Sequence, residues 1–304
     1  MLPEICEIRT DPEGRELTKH GTALFPAACY HDDLSKQEVL WHWHDELEAV
    51  VVSEGAAVVS AETKKYVIRK GGGFFVNAGV LHACRDLDGF GCRFHGVVFH
   101  PRLIGSLDSI FWHRYMRPVL ENSLLKSLCL DGREFWHEEA IKAVEKAWQA
   151  GAGEEPGYEF QMREALSRLV LILSGCQTKE TETPSPKTLR DMGRMKIMLQ
   201  YIQENYAKEL TAAGIAASAA ISESECLRCF GAAIGTSPGR YVRQLRLQKA
   251  AELLAGTGER IADIGAQCGF SDTSYFTKAF RAWRGMTPSE YRKMEAASRN
   301  RKTE

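Results

Sequence analysis

Short apolar runs separated by turn residues mark the chain between residues 40 and 99. These runs are rich in β-branched and aromatic residues: Val50–Val52, Ala57–Val59, Tyr66–Ile68, Phe74–Val76 and Val97–Phe99. Glycines such as Gly55 and Gly79 fall between them. Because short strands that recur about every ten residues are typical of β-sandwiches and small barrels, the pattern predicts an all-β barrel domain in residues 1–105.

The apolar spacing changes to that of amphipathic helices after the barrel segment. Ile141, Val144 and Ala147 recur at a spacing of three, and Lys and Glu occupy positions between them. Residues 158–173 are rich in leucine and repeat the pattern. Residues at i, i+3 and i+4 share one face of a helix. Residues 106–176 are therefore predicted to be a helical segment for dimerisation or transmission, whose helices both pack on the barrel and pair with a second subunit.

A polar stretch separates this helical segment from the rest of the chain. Residues 177–192 contain Pro184 and Pro186 among Thr, Lys and Glu. Such a composition without apolar periodicity is typical of a linker. The chain after it has helical spacing, so residues 193–295 are predicted to form an all-α domain.

The all-α segment contains an internal repeat. Gly235–Tyr241 matches Gly285–Tyr291 at an offset of 50, and Ala213–Ser222 matches Ala262–Ser271 at an offset of 49. The second copy therefore has one extra residue within its second helix or its turn. Each copy has the pattern of two short helices joined by a turn, so two helix–turn–helix units are predicted in tandem.

The second unit shows the features of a DNA-reading helix most clearly. Gly269 stands where its first helix must stop, because glycine takes a positive φ at little cost. Ser271 or Asp272 can cap the next helix. An apolar stripe then follows, formed by Tyr275, Phe276, Ala279 and Phe280. The outward positions carry short polar and basic side chains, which suit a major groove.

Nine residues of the two units are predicted to contact DNA. They are Ser224, Leu227, Arg228, Asp272, Thr273, Ser274, Thr277, Lys278 and Arg281. The first copy also carries Glu223 and Glu225 near the start of its second helix. Glu can accept a hydrogen bond from cytosine N4, or the two carboxylates can simply favour the helix N-terminus through its dipole.

A helix of roughly 27 Å is predicted between the copies, from Ser237 to Ala255, at 1.5 Å per residue. This length suits two recognition helices about one DNA turn apart, near 34 Å. The basic side chains along it are either phosphate contacts or a solvated face: Arg240, Arg243, Arg246 and Lys249.

The net charge of −1 conceals an uneven distribution. Residues 195–304 carry 16 Lys and Arg against 11 Asp and Glu, whereas residues 1–194 carry 23 against 29. A basic back half favours contact with a polyanion. The chain shows neither a signal peptide nor a membrane span, so we expect a cytoplasmic protein. The nine cysteines are scattered, and the one C-x-x-C pair, Cys226 and Cys229, is interpreted as core rather than as a redox or metal site.

A histidine constellation lies in the barrel segment. His42, His44 and Glu48 alternate along a predicted strand, and His82 follows a later one. Three imidazoles and a carboxylate form a plausible set of ligands for Fe, Mn, Ni or Zn. Two other interpretations stay open: the same side chains could hydrogen-bond a polar or anionic organic ligand, or they could be a structural cluster.

The second helix–turn–helix unit resembles the AraC/XylS family of bacterial transcription regulators. The matching segments are Ile261–Ala266, Gly269–Phe276, Phe280–Arg281 and Gly285–Arg292, within a resemblance that covers about residues 195–293. By this resemblance the DNA-reading helices are Glu223–Phe230 and Asp272–Phe280.

The barrel segment is similar to the cupin fold. His42, His44, Glu48 and Gly55 resemble its first motif, and Gly73, Gly79 and His82 resemble its second. The chain departs from the second motif at Ala78, often a proline, and at Asp86, an asparagine in the motif. The resemblances imply an N-terminal cupin-like barrel with following helices and a C-terminal all-α tandem helix–turn–helix domain.

The patterns favour a sequence-specific DNA-binding regulator, without catalytic residues, that binds operator DNA as a homodimer. Its barrel would bind a small effector, such as a sugar or a small acid, through His42, His44, Glu48 and His82, with a divalent metal ion possible but not required. The alternatives are a metal-dependent cupin isomerase or dioxygenase fused to a DNA-binding module, and a constitutive architectural DNA binder.

Overall fold

A computed structural model describes residues 20–35, 38–62, 64–87, 89, 91–176 and 185–300 of the chain. The chain divides into two compact units, Met1–Gly193 and Arg194–Glu304. The predicted linker falls partly outside the described residues, which omit 177–184.

Within the described residues the first unit contains nine strands in two antiparallel sheets. The strands are β1 (Ala27–Asp33), β2 (Val39–His42), β3 (Leu47–Glu54), β4 (Ala56–Ala61), β5 (Lys64–Arg69), β6 (Gly73–Val76), β7 (His82–Asp86), β8 (Arg93–Phe99) and β9 (Ser127–Leu130). One sheet has the order β1-β8-β3-β6-β9, and the other has the order β2-β7-β4-β5.

Strand β3 is apolar on both faces because both faces are covered. Val50 and Val52 belong to the core between the sheets, which also contains Phe74 and Phe94. Ala49 alternates with them and packs in a second core on the outer face of the sheet, against helices. Since successive side chains of a strand point to opposite faces, a strand between two cores reads as one continuous apolar run.

The sheet continues past the predicted barrel boundary at residue 105, so that boundary is wrong. Strand β9 pairs with β6, with Leu130 opposite Gly73. The chain reaches β9 through a 3₁₀ turn, a π-helical turn and helix α1 (Arg117–Glu121). Asn77, which follows β6, donates to the carbonyls of Val119 and Leu125 at 2.8 and 2.9 Å. Strand β9 (sequence SLCL) is short and lacks the β-branched and aromatic residues that marked the other short strand β6 in the sequence.

Two helices lie on the outer side of the five-stranded sheet, the first packed against the strands and the second packed against the first. They are α2 (Phe135–Gly153) and α3 (Tyr158–Gly175). The buried side chains of α2 include Ala140, Ala143, Val144 and Ala147, and those of α3 include Leu166, Leu169, Val170 and Leu173. Trp148 Nε1 donates to the Tyr30 carbonyl at 3.0 Å and so ties α2 to β1.

Helix α4 (Pro186–Asn205) begins inside the predicted linker, so the linker is shorter at its C-terminal end than predicted. Thr188 N donates to Ser185 Oγ at 3.1 Å, which is an N-cap contact. Proline is well tolerated in the first turn of a helix. Ser and Pro therefore act here as a helix start, although the same residue types are typical of linkers.

The second unit contains two helix–turn–helix pairs joined by a long helix. The first pair is α5 (Ala212–Ser218) and α6 (Glu223–Ala233), and the second is α8 (Ile261–Gln267) and α9 (Thr273–Arg284). Helix α7 (Pro238–Gly256) lies between them, and α10 (Pro288–Asn300) follows.

The extra residue of the second copy lies in its turn. Ser222 caps α6 by accepting from Glu225 N, and Asp272 caps α9 by accepting from Tyr275 N. The caps are 50 positions apart, whereas α5 and α8 start 49 positions apart. Each turn contains a residue in the left-handed backbone region. It is Ala220, with a φ of +52°, in the first copy and Gly269, with a φ of +82°, in the second.

Candidate functional site

Four side chains of the first unit bring potential ligand atoms together. His42 ends β2, His44 follows it, Glu48 lies on β3, and His82 begins β7 directly opposite His42. One ligand atom from each lies within 4.8 Å of those of the other three. The three histidines are buried and Glu48 is half-buried. The structure thus brings together all four residues predicted from the cupin-like motifs, although His44 lies after the strand rather than in it.

Backbone carbonyls fix the orientation of the three imidazoles. Nδ1 of His42 lies 2.8 Å from the Leu40 carbonyl, and Nδ1 of His82 lies 2.8 Å from the Val80 carbonyl. Nδ1 of His44 lies 3.1 Å from a carbonyl two residues ahead. Because a carbonyl oxygen only accepts, each Nδ1 must carry a hydrogen. In the neutral ring, Nε2 is then the atom with the lone pair.

Glu48 lies between two of these Nε2 atoms. Its Oε2 is 2.9 Å from His82 Nε2 and 3.3 Å from His44 Nε2. Burial alone would raise the pKa of the Glu48 carboxyl, but the hydrogen bonds and charges of His44 and His82 hold that pKa well below its ordinary value. Since a carboxylate and a neutral Nε2 are both acceptors, these contacts require a positive charge, either on a ring or as a cation.

A cavity beside the cluster measures about 30 Å³. Its walls include Val50 and Phe94 of the inner core and the polar side chains His20, Tyr30 and Asp32. A cavity of about 10–15 Å³ is enough to hold one water molecule. Pockets for organic ligands are typically about 300 Å³ or larger. In this conformation the cavity has room for an ion or a water and not for a sugar.

His20 is a member of this site that the sequence patterns missed. Its ring lies 5.4 Å from that of His44, and its Nδ1 lies 2.7 Å from the Tyr30 hydroxyl. His20 stands 22 positions before His42 and belongs to neither motif. Only the fold brings it to the cluster.

Helix α9 buries one side and exposes the other. Phe276 and Phe280 lie in the core, whereas Thr273, Ser274, Lys278 and Arg281 are exposed and Thr277 is half-buried. Tyr275 was predicted in the buried stripe, but 52 % of it is exposed, so that prediction is wrong. Its position is next to Phe276 on the helix, and successive residues are turned by about 100° around the axis. Tyr275 therefore joins the exposed surface of α9 that is predicted to contact DNA.

Two of the predicted contact residues on α9 also have structural roles. Asp272 Oδ1 accepts from Tyr275 N at 2.7 Å and caps the helix. Thr277 Oγ1 donates to the Thr273 carbonyl at 2.9 Å. These bonds hold the start of α9 in place.

Helix α6 presents a different surface. Ser224, Leu227 and Arg228 are exposed, with 45 % of Leu227 accessible. Cys226 and Cys229 face the core, and burial, followed by the charge of Cys229, raises the pKa of the Cys226 thiol to about 11. A buried thiol that stays protonated is a poor nucleophile and metal ligand, which supports the interpretation of Cys226 as core.

The basic residues of α7 divide into two groups. Arg246 donates to the carbonyls of Tyr206 and Lys208 at 2.6 and 2.7 Å, and Lys249 Nζ lies 2.9 Å from Glu252. These two side chains hold neighbouring structure together. Arg240 and Arg243 are exposed and are the remaining candidates for phosphate contacts.

Comparisons with known proteins match both units. Residues 25–131 match the model of the AraC-like ligand binding domain, and residues 215–294 match a helix-turn-helix domain model. The HTH-type transcriptional regulator YdeC of Bacillus subtilis is 30 % identical over 291 residues, which cover 94 % of this chain and 98 % of YdeC. The chain belongs to the AraC family of transcriptional regulators. The fold class and the regulatory function predicted from the sequence are confirmed.

Two further comparisons of this AraC-family regulator give lower identities. The HTH-type transcriptional activator RhaR of Mannheimia succiniciproducens is 23 % identical over 256 residues, covering 83 % of this chain and 86 % of RhaR. The crystal structure of unsaturated fatty acid bound ToxT from Vibrio cholerae is 14 % identical, covers 91 % of this chain and 97 % of ToxT, and has a TM-score of 0.43. No helix in the described part of this AraC-family regulator is long and apolar enough to cross a membrane.

Proposed function

We propose that this AraC-family regulator changes its affinity for operator DNA when a divalent metal ion binds to His42, His44, Glu48 and His82. The observation that carries the proposal is the convergence of the ligand atoms of these four side chains within 4.8 Å. Imidazole nitrogens and a carboxylate suit Zn, Fe, Mn and Ni. Imidazoles whose Nδ1–H groups are held by carbonyls are oriented as metal ligands usually are.

The size of the cavity supports an ion over a sugar or a small acid as the effector. A volume of about 30 Å³ accommodates an ion, whereas an organic effector would need the walls around Val50 and Phe94 to move apart. A metal ion also supplies the positive charge that the contacts of Glu48 with His44 and His82 require.

The same cavity argues against the enzyme alternative. The relatives YdeC and RhaR are described as transcriptional regulators. A catalytic metal site keeps a coordination position open to substrate. A cavity of about 30 Å³ leaves no room for an organic substrate beside the metal. We therefore propose that the ion serves regulation, in the cytoplasm where the protein reaches DNA.

Metal analysis combined with operator binding tests this function. The full-length protein, purified with and without a chelator, is titrated with Mn²⁺, Fe²⁺, Ni²⁺ or Zn²⁺ while its affinity for an operator duplex is measured by gel shift. An operator affinity that changes with saturation at one ion per chain supports the proposal. If no metal ion changes the operator affinity but a sugar or an organic acid does, the barrel binds an organic effector.

The surface of α2 and α3 supports the proposed homodimer. A groove of about 960 Å³ runs along these helices and includes Phe111 and Leu171, which are 52 % and 45 % exposed. Charges of both signs border it: Glu139, Lys142, Lys146, Glu164 and Arg168. A two-fold interface places the same patch on both subunits, so a mixture of opposite charges around an apolar centre can pair with itself.

Replacing Leu171 with Glu is expected to convert the homodimer to a monomer, because two carboxylates would be buried near each other at the two-fold interface. Sedimentation velocity of the full-length protein measures this change. Phe135→Glu is the control, since Phe135 is 81 % exposed and does not line the groove. A dimer that survives Leu171→Glu would place the interface elsewhere.

Replacing Lys278 with Ala is expected to weaken operator binding about five- to tenfold and to reduce the slope of log K against log salt by about one, as the loss of one phosphate contact does. Gel-shift titrations at several salt concentrations measure both quantities. Lys65→Ala, which removes the same charge from an exposed position of β5 outside the groove, should leave both unchanged. An unaltered slope in Lys278→Ala would remove Lys278 from the DNA interface.

A further inference from the structure

Glu225 and Arg228 form an ion pair on the exposed side of α6. Arg228 Nη2 donates to Glu225 Oε1 at 2.6 Å, and Arg228 Nε donates to Glu225 Oε2 at 3.3 Å. The carboxylate therefore occupies the side of the guanidinium that carries Nε and Nη2. Because the guanidinium is planar, the end that carries the Nη1 hydrogens faces another direction.

Arg194 of α4 holds the same carboxylate. Its Nη1 lies 3.3 Å from Glu225 Oε1, so Glu225 is fixed by two guanidinium groups. Residues 225 and 228 are neighbours on the helix surface because they are three positions apart. An exposed pair of this kind contributes little to stability. Its main physical effect is to restrict the rotamers of Arg228, whose side chain is 42 % exposed.

We propose that Arg228 reads a guanine in the major groove and that Glu225 is the positioning residue that orients it. Guanine offers O6 and N7 as two acceptors in that groove, and the end of a guanidinium matches both. Glu225 engages the other side of the group, so it does not compete for this contact. Ordering Arg228 before binding lowers the entropy lost on binding. The inference rests on the proposed regulatory function and on α6 being a DNA-reading helix, as the family resemblance implies.

The corresponding positions of α9 carry different chemistry. The helix caps are 50 positions apart, so Tyr275 corresponds to Glu225 and Lys278 corresponds to Arg228. Lysine is a point charge that lacks the planar fork of arginine, so it suits a phosphate better than a base edge. The first unit thus contributes a specific guanine contact, and the second unit contributes charge.

Selection from a library of random DNA duplexes by the full-length protein tests this inference. The wild type is compared with Arg228→Lys, Glu225→Gln and the control Glu223→Gln. Glu223 is exposed on the same helix, so the control removes the same charge without disturbing Arg228. Circular dichroism confirms that each variant is folded. Affinities are then measured for the selected duplex and for duplexes changed at the enriched guanine.

The wild type is expected to enrich a guanine at one position of the half-site bound by the first unit. Arg228→Lys should lose about tenfold or more of the discrimination at that position. Glu225→Gln should lose part of the same discrimination, whereas Glu223→Gln should keep it.

Two results would overturn the inference. If Glu225→Gln kept the discrimination at the guanine and only tightened binding to all sequences equally, Glu225 would not be a positioning residue. If Arg228→Lys kept the guanine preference, Arg228 would not read the base. A wild type that enriches a site through α9 alone would instead overturn the placement of α6 itself.

Discussion

Glu48→Gln is expected to abolish the thermal stabilisation that divalent metal ions give to the wild-type protein. An ion that binds only the folded state stabilises it by about 2.7 kcal/mol at a concentration of 100 times Kd. Glutamine has the shape of glutamate but lacks its charge, so it is a poor ligand for a divalent cation. The glutamine amide nitrogen can donate hydrogen bonds to the Nε2 atoms of His44 and His82, whereas the Glu48 carboxylate has no hydrogen to donate. The metal-free variant should therefore remain folded.

Differential scanning fluorimetry with and without each ion measures this effect, and operator titrations show whether the metal response disappears with it. Glu46→Gln is the matched control. Glu46 Oε2 lies 3.9 Å from His44 Nδ1, and this carboxylate is outside the converging set. The control should keep the full stabilisation. A wild-type protein whose Tm no divalent ion changes would show that the cluster is not a metal site.

Gly269→Ala is expected to destabilise the second unit by about 2 kcal/mol or more, because it combines backbone strain with a steric conflict. Gly269 has a φ of +82°, which L-residues rarely adopt. A Cβ there would lie 2.7 Å from the Tyr206 carbonyl oxygen and 2.9 Å from that of Ala207. These carbonyls belong to the segment after α4, so neither can move without disturbing the helix–turn–helix packing.

Ala220→Gly should have the opposite sign. Ala220 occupies the equivalent turn of the first copy with a φ of +52°. Glycine relieves this strain and should stabilise the unit by about 0.5–1 kcal/mol. Ala219→Gly is the control, because φ is −100° at Ala219 and glycine gains nothing there.

Calorimetry of the full-length protein follows the unfolding of the unit, and hydrogen exchange of α8 and α9 locates the change. A loss of 2 kcal/mol corresponds to roughly 10 °C in the Tm of a domain of this size. An unchanged Tm for Gly269→Ala would mean that the turn relaxes freely.

The helix–turn–helix units could be predicted because their signals are local. Gly269 marks the turn, and Asp272 was one of two caps considered. Tyr275 was misplaced because tyrosine counts as apolar in a periodicity, although its hydroxyl and its place beside Phe276 allow exposure. The pair of Glu225 and Arg228 has the spacing of a helical ion pair and could have been recognised from the sequence.

The barrel site was only partly readable because its parts are distant in the chain. The two cupin-like motifs identified His42, His44, Glu48 and His82. His20 carries no motif, and its place in the site follows from the course of the chain before β1. The small cavity is equally invisible in the sequence, since its volume depends on how Val50 and Phe94 pack. Spacing thus predicts the ligand atoms, and packing decides which ligand fits.

The two faces of strand β3 couple the interior site to the helical layer. Glu48 belongs to the cluster of His42, His44, Glu48 and His82, and its neighbour Ala49 packs against the helical layer, so one strand contributes to both. A substitution at position 48 or 50 alters the interior between the two sheets. A substitution at position 49 or 51 alters the surface against which α2 packs. A lineage that acquires a new effector must therefore keep or rebuild its helical layer in the same steps, which ties the evolution of sensing to the evolution of assembly.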